Sequence, residues 1–204
     1  MIGDTDVSIC NFALLLIGID PISSLSESSP AAQACARAYP VIRNSVLSEY
    51  NWRVAVRKRQ ISLLADAVPL NEWTRIHAFP TDMLQGPHAV FGDGSAAPTH
   101  DWEIYDGRLY SNYESVVIDY SAAPDESAFP PILVDFLGHA LAAGLAVPLT
   151  GDKDMAAEYR IKAYGAAQLD RNGGLFAAAK RAMAQSQKIK TIQQNGNPLV
   201  AARR

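Results

Sequence analysis

The side chains of this 204-residue chain that could do chemistry are four histidines, two cysteines and 21 acidic residues. A metal site needs ligands converging at short spacing, as in HExxH or paired CxxC. His77, His88, His100 and His139 are instead spread over segments that read as strand, loop and helix. Cys10 and Cys35 lie far apart without a neighbouring base, and read as reduced, buried thiols rather than a disulfide. Gly92-Asp93-Gly94 lacks the Lys-Ser/Thr and the strand-to-helix setting of a phosphate loop. No GxSxG elbow occurs, and no carboxylate pair separates an acid from a base role. The expectation is a protein that is not an enzyme and holds no metal or cofactor.

Charge is more informative. The net charge of −3 hides a split: residues 171–204 hold seven basic residues (Arg171, Lys180, Arg181, Lys188, Lys190, Arg203, Arg204) and no acidic one. That leaves 11 basic against 21 acidic residues in 1–170, a net of −10. An acidic body with a basic tail points to an interaction segment at the C-terminus. A second basic cluster, Arg53, Arg57, Lys58 and Arg59, could meet phosphates or another subunit. A nucleic-acid binder of this size is normally basic overall, so sequence-specific DNA binding is not expected.

The elements that must position these residues follow from period and caps. Thr5 or Asp6 opens a helix over 5–18 that Gly18 stops, with Phe12, Leu15, Leu16 and Ile19 as its buried stripe. Ser29-Pro30 opens a second over 30–49, kinked at Pro40, with Ala34, Ala38, Ile42, Val46 and Leu47 inward. From 51 to 121 the period changes to two. Trp52, Val54 and Val56 face in while Arg53, Arg57 and Arg59 face out. Residues 72–79 read as a strand and 85–100 as an exposed loop, and Asp106-Gly107 marks a two-residue hairpin. Helices return over 131–147, ended by Pro148, and over 152–171, ended by Asn172-Gly173-Gly174. The apolar run 131–149 carries Asp135 and His139 and suits helix packing better than a bilayer. The predicted class is α+β: a four-helix bundle with a small antiparallel β insertion forms one domain over 1–174. An extended basic arm occupies 175–204.

The order of motifs resembles the tail tubular protein A family, the head-to-tail adaptors of short-tailed bacteriophages. The likeness covers Asn11-Phe12-Ala13-Leu14-Leu15-Leu16-Ile17-Gly18, Pro21-Ile22-Ser23-Ser24-Leu25 and the run from Ala31 to Tyr50-Asn51-Trp52. It continues through Phe79-Pro80-Thr81-Asp82-Met83-Leu84, the hairpin of 102–120, Phe129-Pro130-Pro131 and Pro148-Leu149-Thr150-Gly151, so that about 8–174 is covered. The resemblance implies a homo-oligomeric ring, a dodecamer, in the virion, with the portal above and the tail nozzle below. DNA would pass through transiently, and no membrane is involved. It implies that Lys180, Arg181, Lys188, Lys190, Arg203 and Arg204 bind the portal, and it supplies no catalytic residue. Arg53, Arg57 and Arg59 are candidates for a contact between subunits or with the tail. The alternatives are a head-completion or stopper protein of a long-tailed phage and a non-viral oligomeric scaffold.

Overall fold

In the computed structural model, which describes residues 5–65, 67–69, 72–166 and 173–185, chain order runs through two helices, six strands and three helices. Helix α1 (Asp6–Leu16) starts where Thr5 Oγ1 accepts from the Ser8 amide at 3.1 Å, while Ser8 Oγ accepts from the Thr5 amide at 2.8 Å. This reciprocal capping satisfies two amides that the helix itself cannot. Gly18 closes it at φ 74°, as the sequence predicts. The buried stripe is rotated from the predicted one: Ile9, Cys10, Ala13 and Leu14 are buried, and Leu15 is 73% exposed. Helix α2 (Pro30–Glu49) is capped by Ser29, whose Oγ accepts from the Ala32 amide at 3.2 Å, and it runs through Pro40.

Helix α3 (Pro131–Thr150) is the hub, packing against α1, α2, α4 (Lys153–Tyr164) and α5 (Gly174–Gln185). It is long and apolar enough to cross a membrane by length and composition, and here Leu133, Phe136, Leu137, Leu141 and Leu145 form the helical core. Phe12 lies so close to Gly138 that an added Cβ would sit 2.2 Å from its ring. Pro148 does not end α3. Near a C-terminus it removes a single intrahelical bond, and the helix continues to Gly151 at φ 75°.

Between α2 and α3 the chain forms an antiparallel sheet in the order β3-β6-β1-β2-β5-β4, curled into an open half-barrel. The strands are β1 (Val56–Leu63), β2 (Arg75–Ala78), β3 (Met83–Gly92), β4 (Trp102–Tyr105), β5 (Arg108–Ser111) and β6 (Val116–Ala122). The curl turns on β1, whose first six residues pair with β6 and whose Ser62 and Leu63 pair with β2. The sheet has its own core: Val116, Ile118, Tyr120 and Ala122 alternate inward along β6 and meet Ile61, Val90 and Leu109. Asp106 and Gly107 both take positive φ, 49° and 67°, as a type I′ hairpin requires.

The expected four-helix bundle with a small β insertion and an extended arm is therefore overturned. The β region has six strands and a separate apolar core, and the helices number five among the described residues. Two physical reasons account for most of the difference. The first half of the segment expected as a loop over 85–100 belongs to β3, an edge strand, where Gly86-Pro87 falls in the register shift between Gln85 and Ala89 and interrupts no ladder pair. Residues 174–185 are helical and docked, because Phe176, Ala179 and Met183 enter the helical core.

Candidate functional site

Trp52 does not belong to the sheet. It is fully buried in the helical core, and its Nε1 donates to the Val46 carbonyl at 2.7 Å. Its ring meets Phe136 at 6.4 Å and Phe176 at 5.9 Å between centroids, and Phe136 meets Tyr164 at 5.2 Å. Residues 53–55 are a turn, so the strand begins only at Val56, and along it Ile61 alone is buried, Val56 itself being 36% exposed.

That shift divides the first candidate group. Arg57 and Arg59 share one face of β1 and converge on Asp82, at 3.2 Å and 4.0 Å. Tyr120 Oη donates to the same carboxylate at 3.1 Å. Arg53 lies in the turn before the strand, away from this alignment. Lys58 points to the opposite face, pairing with Asp119 at 2.9 Å, with Nζ 3.6 Å from the Phe91 ring centroid. One carboxylate on each face cancels part of the charge, and such solvent-exposed pairs are worth about 0–1 kcal/mol each. The face can contribute long-range attraction for an anion, but it is not a closed anion pocket.

The second candidate group is only partly placed. Lys180 sits on α5 with Nζ 4.5 Å from the Phe176 ring centroid, and Arg181 is exposed beside it. Lys188, Lys190, Arg203 and Arg204 lie outside the described residues. Helix α4 also stops earlier than predicted. Gly165 turns at φ 85°, and Gly174 approaches the Lys162 carbonyl so closely that a Cβ would stand 2.4 Å from it. This tight glycine junction lays α5 back on α3 and α4.

The residues first considered for chemistry are held in structural contacts. His77 is buried with Nε2 3.1 Å from the Tyr113 carbonyl, and burial holds its imidazole below the ordinary value. His88 meets Ser121 Oγ at 2.9 Å, and desolvation lowers it likewise. His139 lies 3.2 Å from Asp135 Oδ1 on the preceding turn of α3. Asp93 Oδ1 accepts from the Glu114 and Ser115 amides, so Gly92-Asp93-Gly94 is a turn that Asp93 ties to the loop before β6. Cys10 and Cys35 are free thiols hydrogen-bonded to one another across α1 and α2, and this bond together with burial pushes the Cys10 thiol up. Among the described residues, no group of three or more His, Cys, Asp or Glu side chains could hold a metal ion.

Two features escaped the sequence reading. Arg43 Nη1 lies 2.6 Å from Glu126 Oε1, which also accepts from Tyr39 Oη at 2.9 Å. This pins α2 to the short 3₁₀ turn Glu126–Ala128 that precedes α3. The pair is 83 residues apart, so no local pattern could reveal it. The other feature is an open groove of about 590 Å³ between α2 and α3. Ala34, Ala38 and Ile42, predicted to face inward, are half-buried and line it. An arginine at 37 within a mainly apolar stripe was the available signal.

No protein-family model matches this chain, and no curated protein matches it at a significant level.

Proposed function

We propose that this chain is a structural subunit of a bacteriophage head-to-tail connector ring, of the tail tubular protein A kind. It docks the tail nozzle onto the portal and forms part of the channel through which DNA leaves the capsid. The observation that carries the reading is the segregation of charge, a body of net −10 over 1–170 followed by seven basic residues and no acidic one. The order of motifs over 8–174 supports the same reading. The structure adds a physical basis for an anchored tail. Phe176 is 5% exposed among Trp52, Phe136 and Tyr164, so the helix that carries Lys180 and Arg181 is fixed to the body. A predominantly acidic body repels DNA phosphates, which suits passage without retention.

Electron microscopy of the full-length protein, with mass measured on the same sample, tests the ring; closed assemblies of about twelve copies are expected. Portal binding tests the tail. It should weaken steeply as salt is raised and should be lost when residues 186–204 are removed. Unchanged portal binding by the truncated chain would refute the anchoring role.

A further inference from the structure

The groove between α2 and α3 is apolar along most of its length: Ala34, Ala38 and Val41 on one wall face Leu145 and Leu149 on the other. At its deepest point the helices nearly touch, since a Cβ on Gly144 would stand 2.8 Å from Ile42 Cδ1. Val41 is 68% exposed at the rim. Arg37 supplies the groove's charge, no carboxylate lines it, and Arg37 takes part in none of the ion pairs among the described residues. An apolar trough with one unmatched guanidinium suits an apolar segment carrying a carboxylate.

Such a segment is displayed by α4, which packs on the same central helix α3. Ala163 is its buried contact, while Asp154, Ala157, Glu158 and Ile161 are exposed, Ile161 by 54%. At helical geometry these four fall within a stripe about 100° wide, and the cations Arg160 and Lys162 lie about 100° to either side of Ile161. Glu158 precedes Ile161 by about one turn, as Arg37 precedes Val41. Glu158 already accepts from Lys162 at 2.7 Å, yet a carboxylate has lone pairs for a second donor. Among the described residues of one molecule nothing covers either surface, so the match is between copies.

We infer that the α2–α3 groove of one copy receives the outward face of α4 from the next copy. Ile161 enters beside Val41 and Leu145, and Glu158 pairs with Arg37. The basic tail is the wrong occupant by charge, since residues 186–204 hold four basic residues and no acidic one. The contact is heterologous, each copy offering its groove to one neighbour and its α4 to another, which builds a ring where the rotation between copies closes and an open filament where it does not. The inference rests on the ring reading proposed above and assigns that ring its interface.

The test is native mass spectrometry and sedimentation of the full-length protein. Val41→Lys and Ile161→Lys, both at exposed positions, should each weaken assembly at least about tenfold. Arg37→Glu should weaken it too, and Arg37→Glu combined with Glu158→Arg should restore it. Mixing the Val41→Lys and Ile161→Lys chains should give heterodimers and nothing larger, because only one competent contact remains. Assembly insensitive to both lysine substitutions overturns this interface and leaves the ring reading standing. A closed two-fold dimer overturns it as well. A wild-type chain that stays monomeric at its highest soluble concentration also overturns the contact, and portal binding then decides the connector reading separately.

Discussion

Around Glu126 three polar side chains meet in a setting where water is scarce. Burial pushes its carboxyl up, but hydrogen bonds from Arg43, its own backbone and Tyr39 outweigh this and hold it below its ordinary 4.5. The Tyr39 hydroxyl is pushed up by burial and by the same carboxylate. Replacing Glu126 with alanine strands a guanidinium and a phenol, so urea denaturation should show a loss of about 1–3 kcal/mol. Because the folded-state value is depressed, this contribution is present above pH 4.5 and lost as pH falls below it. His77 acts in a higher window. Burial lowers its imidazole, opposed by the Tyr113 carbonyl and Asp93 and assisted by Arg75, so folding favours the neutral form. Stability should therefore be full above pH 6.5 and fall as pH drops below it, a slope that His77→Gln should flatten in melts at successive pH values.

Among the elements, α5 departs furthest from what its composition suggests. Its alanines and basic residues resemble an extended arm, yet Phe176 joins the aromatic group of Trp52, Phe136 and Tyr164. Phe176→Ala should cost roughly 3–5 kcal/mol, whereas Lys180→Ala should change the melting temperature little. The contrast shows what could be read from the sequence. Helix starts were legible at Thr5 and at Ser29-Pro30 because caps act over three residues. The hairpin at Asp106-Gly107 was legible for the same local reason. The docking of α5 was not, because Phe176 finds its partners more than a hundred residues away, at Trp52, as well as on α3. Strand β3 was hidden by Gly86 and Pro87, residues that mark a loop in isolation but fit an irregular edge paired with β6. The phase of α1 was misjudged because its apolar residues run almost all round, so Leu15 and Leu14 could not be told apart by pattern. Among the site residues, Arg57 and Arg59 were correctly placed on one face, and Arg53 was not. The strand begins only where Trp52 has finished serving the helical core.

At the scale of the whole molecule, helices and sheet hold separate apolar cores, and the chain's entry into the sheet and its return to the helices lie together. Val56 pairs with Ser121, and the Ala122 amide donates to the Ala55 carbonyl at 2.9 Å, so the two ends of the β region lie side by side. Excising residues 57–120 and bridging 56 to 121 with a short glycine turn should leave the helical core folded. Near-native helical circular dichroism with a cooperative melt is the expected result. The charge split works at this scale too, since neither the acidic body nor the basic terminus belongs to any one element.

The adjacency of those two ends also bears on the order in which the molecule assembles. Pairing β1 with β6 requires closing a loop of more than fifty residues, an entropic cost that grows with the logarithm of loop length. Packing α2 against α3 closes almost the same loop, because these helices end and begin beside the two strands. Once the helices have met, the strands search for each other over a short distance and the sheet can zip from its central pair outward. Folding rate is therefore governed by helix contacts, and weakening Phe136 should slow sheet formation as much as helix docking. Strand substitutions such as Val90→Ala, at the sheet's edge, should chiefly speed unfolding.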